Sequence, residues 1–139
     1  MNTILLPVDF SDKTPQLFAQ AQAQAQAFNS TLYIIHAVLP NEDSSYKDKK
    51  EMGQEFGEES SNLNQLAQQA RQLGIDTHAL LLEGIAAAVI LEESRRLKVD
   101  LIVMGSHGRG TLSSVLLGDV SQEVIRNSPC PVFLVPTRS

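Results

Sequence analysis

The chain of 139 residues has no tryptophan, one cysteine and only 5% aromatic residues. Its core must therefore be aliphatic. Cys130 stands alone, which excludes an intramolecular disulfide and a multi-cysteine metal site. That economy suits a reducing compartment. Basic residues are also few: 11 Lys and Arg against 16 Asp and Glu give a net charge of -5. Such a balance argues against general partnership with nucleic acid or an anionic membrane surface, and leaves room for a local phosphate site. No apolar run approaches the roughly 20 residues of a membrane-spanning helix. The opening Met-Asn-Thr-Ile-Leu-Leu-Pro lacks the basic segment and long apolar stretch of a signal peptide. The expectation is a single soluble cytoplasmic domain over residues 1–139.

What is present alternates. Ile4 to Val8, Thr31 to Val38, Thr77 to Leu82, Leu101 to Met104 and Val132 to Val135 are short apolar or β-branched runs. The first lacks a polar face, as a strand buried on both sides does. Between them lie helical segments. Ala and Gln alternate from Ala19 to Ala27, a period of two that would suggest a strand, but both are strong helix formers and poor strand formers. A helix there places Leu17, Ala21, Ala25 and Phe28 on one face, with Ser11 or Thr14 as its cap and Pro15 in its first turn. Leu63, Leu66, Ala67, Ala70 and Leu73 recur at helical spacing, and Gly74 follows as a C-cap. Ile85 to Leu97 and Val115 to Asn127 complete the helices. Residues 40 to about 61, rich in Asn, Glu, Asp, Ser and Lys, read as an exposed excursion.

This βαβαβαβαβ order predicts an α/β fold: a parallel sheet with right-handed crossovers and helices on both faces. In such sheets ligands bind beyond the carboxyl ends of strands, where the strand order reverses. Two polar clusters fall at strand ends. Asp9 and Ser11 follow the first strand. Gly105-Ser-His-Gly-Arg-Gly110 follows the fourth, with Gly118 beyond, in a Gly-x2-Gly-x9-Gly spacing. Glycines let backbone N–H groups approach an anion, and a following helix adds its positive end. With order 3-2-1-4-5 both clusters flank one crevice. The loop is not a dinucleotide fingerprint, which would follow the first strand, and no Gly-Lys-Ser/Thr pattern of a P-loop occurs.

These features, with His36, Gly84 and the closing Cys130-Pro-Val-Phe-Leu-Val135, resemble the universal stress protein family, and within it the nucleotide-binding branch. The resemblance covers nearly the whole chain. It implies a five-stranded parallel sheet of order 3-2-1-4-5, adenine nucleotide alpha hydrolase-like, and ATP or AMP as ligand. It implies that Asp9 contacts ribose or base, that Pro7, Val8 and Met104 shape the pocket, and that the backbone of Ala37 and Val38 meets adenine. Gly105, Ser106, His107, Gly108, Arg109 and Gly110 would hold ribose and phosphates with Gly118, Asp119, Val120 and Ser121. It further implies a homodimer through Val132 to Val135.

Asp119 departs from the family pattern, which has Ser or Thr after the third glycine. A carboxylate beside phosphates costs roughly 1–4 kcal/mol per close charge pair, which Arg109 or a bound Mg²⁺ would offset. The expected role is a stress-response sensor or regulator in which nucleotide orders Gly105 to Leu117 for an unidentified protein partner. Slow ATP hydrolysis or autophosphorylation, and a nucleotide-free interaction protein, are the alternatives. His36 and His78 read as structural, His107 as a residue acting through its backbone, and Cys130 as a buried small hydrophobe.

Overall fold

A computed structural model describes residues 2–39, 56–106 and 118–136. Its elements are β1 (Thr3–Pro7), α1 (Thr14–Phe28), β2 (Thr31–Val38), α2 (Gly57–Gln72), β3 (Thr77–Glu83), α3 (Ala86–Arg96), β4 (Leu101–Gly105), α4 (Asp119–Asn127) and β5 (Val132–Val135). The five strands form one sheet of order β3-β2-β1-β4-β5, and every pairing is parallel.

Burial explains the lack of alternation in β1. Ile4, Leu5 and Leu6 are all fully buried because β1 is the central strand, covered on both faces. Ile4, Leu6 and Val8 pack with Leu17, Phe18 and Ala21 of α1 and with α2. Leu5, Ile35, Ile102 and Met104 pack on the opposite face with α3 and with Val124 of α4. Each such aliphatic side chain contributes about 1.5–3 kcal/mol by leaving water. The lone sulfhydryl is only half-buried: Cys130 sits at the margin of the second cluster, and the Ser128 hydroxyl donates to its carbonyl oxygen at 2.6 Å.

The ends of the elements correct several sequence expectations. α1 is capped by the backbone of Lys13, with no side-chain cap; Ser11 instead accepts from Thr14 N through its carbonyl at 3.1 Å, and Thr14 is already helical. Phe28 and Leu73 are about half exposed, since each falls at a helix end beyond the edge of its core cluster. Gly57 to Ser61 are helical rather than part of the excursion. Glu58 and Glu59 fall in the first turn of α2, where the helix dipole favours acidic side chains. Gly74 follows the C-cap Leu73 with φ +82°, the left-handed geometry that favours glycine. α3 runs between the expected flanks Ile85 and Leu97, and α4 is described from Asp119. Val115 to Leu117, and residues 40–55, lie outside the described residues.

At the end of the sheet away from the strand carboxyl termini, the Asp100 carboxylate accepts from Asn2 N at 2.8 Å and Thr3 N at 3.0 Å. These two bonds hold its pKa below the usual value. They lock the entry to β4 against the start of β1, which fixes the relative height of the two strands that carry the site.

Candidate functional site

The sheet order places the reversal between β1 and β4, so the chain leaving each strand departs to opposite sides and opens a crevice. Alternation along β1, β2 and β4 assigns Asp9, Ala37 and Met104 to the same face of the sheet, the one covered by α3 and α4. Extending the β1–β2 register past Pro7↔Ile35 sets Ala37 level with Asp9. β2 thus forms a side wall higher than β1. Val38 is buried, and its carbonyl accepts from Gly84 N at 2.9 Å, which holds that wall against the loop after β3.

The turn after β1 is built locally. Val8 N donates to Ile35 O at 2.8 Å, extending the ladder one step beyond the strand. Asp9 Oδ1 then accepts from Ser11 N at 3.0 Å, an Asx turn that folds the carboxylate back over its own backbone. Between them Phe10 takes a left-handed φ of 57°, which is rare for a bulky residue. Its ring meets that of His36 edge-on, centroids 4.8 Å apart. His36 Nδ1 donates to Val8 O at 2.7 Å. A carbonyl can only accept, so the proton is on Nδ1, and a neutral His36 presents Nε2 as an acceptor. His36 therefore has the structural part expected of it: it clamps the turn that carries Asp9. His78 stacks on Tyr33 with centroids 4.9 Å apart, at the other end of the strands.

The other wall comes from β4 and α4. Gly105 is the last residue of β4 and pairs with Val135. Ser106 N donates to Val135 O at 3.0 Å, and Gly118 N donates to Ser106 O at 2.9 Å. The residues on either side of the 107–117 segment are thus hydrogen-bonded to each other. Gly118 is the N-cap of α4, and its carbonyl accepts from Gln122 N at 3.0 Å. Ser121, 3% exposed, donates its hydroxyl to Gly105 O at 2.8 Å, with Ser106 O at 3.3 Å. Asp119 and Val120 are exposed in the first turn. The opening N–H groups of any α-helix lack intrahelical acceptors, so this end of α4 is a donor-rich, electropositive rim.

The structure therefore brings together Pro7, Val8, Asp9, Ala37, Val38, Met104, Gly105, Ser106, Gly118, Asp119, Val120 and Ser121 around the ends of three adjacent strands. His107, Gly108, Arg109 and Gly110 lie outside the described residues. Sequence reasoning missed the Phe10–His36 contact. Nothing in the letters Asp-Phe-Ser announces a left-handed Phe. Among the described residues no three His, Cys, Asp or Glu side chains converge as metal ligands, and no helix is long and apolar enough to cross a membrane.

A parallel sheet with a two-walled crevice at its reversal point, one wall a helix N-terminus, defines a doubly wound α/β protein of the ligand-binding kind. The chain belongs to the universal stress protein family, whose family model matches residues 1–136. It is 37% identical to a universal stress protein of Thermus aquaticus over 96% of this chain and 97% of that protein. A second relative, from Methanocaldococcus jannaschii, is 35% identical over 95% of this chain and 80% of its own length. Among solved structures, hypothetical protein MJ0577 superposes with a TM-score of 0.84 at 26% identity, covering 99% of this chain and 97% of that one. A universal stress protein in complex with cAMP superposes with a TM-score of 0.80 at 25% identity, covering 99% and 98%.

Proposed function

We propose that this chain, as a single domain, binds an adenine nucleotide in the crevice between Asp9 and the start of α4, and works as a regulator in a stress response. The observation that carries the reading is the Gly118–Ser106 hydrogen bond. It fixes the two feet of the glycine-containing segment beside the N-terminus of α4, where backbone donors suit phosphate. A structural relative at 25% identity in complex with cAMP supports the ligand class. In this reading Asp9 meets the ribose or base, Ala37 and Val38 flank the adenine, and Met104 lines the pocket. Residues 105–110 with Gly118 to Ser121 take the ribose and phosphates. ATP or AMP is the ligand, with Mg²⁺ or Arg109 offsetting Asp119 when phosphates are many.

The protein works in the cytoplasm as a homodimer through β5 and transmits its state to a protein partner. β5 is an edge strand whose Phe133 is 37% exposed, which suits pairing with a second copy. The experiment is direct. Protein purified without added ligand is denatured, and any released nucleotide is identified by mass spectrometry. ATP and AMP are then titrated back while the melting temperature is followed. Ligand at one hundred times Kd should stabilise by about 2.7 kcal/mol, and Gly108→Val should abolish the shift. No released nucleotide and no shift would overturn the reading and make the glycines structural.

A further inference from the structure

A second concavity lies on the opposite face of the sheet, between α1 and α2. It has a volume of about 330 Å³. Phe10, Pro15, Phe18 and Leu66 supply its apolar walls. Thr14, Asn62, Gln65 and Gln69 supply its polar groups, and no side chain lining it is charged. One of these groups is anomalous. Thr14 is 5% exposed, and its Oγ1 is buried without a hydrogen-bond partner. It is the only buried side-chain N or O so placed among the described residues. Thr14 N is satisfied by Ser11 O at 3.1 Å, so the hydroxyl is not serving its own backbone as a cap.

A buried hydroxyl left unmade is costly, and valine has the same shape without the cost. Asn62, Gln65 and Gln69 project from α2 at spacings of three and four, which puts three amides on one stripe facing the hydroxyl side of the cleft. Amides and hydroxyls both donate and accept. Aromatic and proline surfaces beside them suit a flat apolar body. Charged ligands find no counter-ion and would pay desolvation without return.

We propose that this cleft is a binding site for a small uncharged molecule with a flat apolar ring and an amide-like polar end, the polar end bonding to Thr14 Oγ1 and the α2 amides. The site is separate from the nucleotide crevice, on the other face of the sheet, and does not depend on that reading. The two share only the turn at Phe10.

Benzamide is the probe, with benzoate and benzamidinium as isosteres of opposite charge. Each is titrated into isotopically labelled full-length protein, and backbone amide shifts are followed by NMR. Benzamide should give saturable shifts, in the millimolar range expected of a fragment, centred on residues 10–18 and 62–69. Thr14→Val, which keeps the side-chain shape, should weaken it roughly three- to tenfold, the scale of one neutral hydrogen bond. Gln65→Phe fills the cleft from an exposed position, leaves the core untouched, and should abolish the shifts. Both charged isosteres should bind more weakly. Absence of saturable shifts, shifts unchanged in both variants, or equal binding of benzoate or benzamidinium would each overturn the proposal.

Discussion

The Ser121 hydroxyl donates to the carbonyl oxygen of Gly105 at 2.8 Å, joining the first turn of α4 to the last residue of β4. The bond crosses from helix to strand beneath the proposed phosphate rim. Ser121→Ala would leave the buried carbonyls of Gly105 and Ser106 short of a donor. The expected loss is about 1–2 kcal/mol of stability, or a melting temperature lower by roughly 2–8 °C for a chain of this size. Nucleotide affinity should fall as well, because the rim is no longer held against β4. Calorimetry without ligand and titration with ATP separate the two effects. An unchanged melting temperature would show that the hydroxyl is not the clamp.

How far the sequence reaches is visible in that clamp. Strand order and the shared face of Asp9, Ala37 and Met104 follow from apolar runs, alternation and the handedness of crossovers, and the structure bears out the 3-2-1-4-5 sheet. Those features depend on local pattern plus rules that hold for all parallel sheets. The Ser121–Gly105 bond does not. It joins residues 16 apart through a packing angle that no local pattern encodes. Phe10 illustrates the same limit. Its left-handed backbone is held by an Asx turn on one side and by the His36 ring on the other, and His36 arrives from β2. Thr14 could be read as a helix cap because threonine often is one. Only the path of Ser11 and Lys13 shows that the backbone does that work and leaves the hydroxyl over.

Asp100 gives a prediction with a definite sign in pH. The N–H groups of Asn2 and then Thr3 donate to its carboxylate and hold its pKa below the ordinary value. A depressed folded-state pKa contributes stability that is fully present above the unfolded value, near 3.9 for Asp. The contribution is lost as pH falls through the folded-state value. Wild type should therefore exceed Asp100→Asn in urea midpoint at pH 7 and at pH 5, with the gap closing below about pH 3. The gap should be small, because Asp100 is exposed and screened. A gap of equal size at pH 7 and pH 2.5 would show that the charge on Asp100 is irrelevant to the lock between β1 and β4.

Asp119 should decide how many phosphates the crevice accepts. It sits in the first turn of α4, where its charge favours the helix by a few tenths of a kcal/mol to about 1 kcal/mol. The same carboxylate opposes a polyphosphate placed on that rim. At 4 Å one such charge pair costs about 1 kcal/mol in a water-like medium and about 4 kcal/mol near a protein surface of lower dielectric. Because Asp119 is exposed, the lower figure applies. Asp119→Asn should therefore tighten ATP about fivefold or more, and tighten AMP less, since fewer charges lie near the helix end. The ligand-free protein should lose a little stability at the same time. Isothermal titration of both nucleotides, without and with Mg²⁺, measures the ratio, and added Mg²⁺ should shrink the difference between wild type and variant. If ATP and AMP respond equally, the carboxylate does not face the phosphate chain, and the ligand lies the other way round in the crevice.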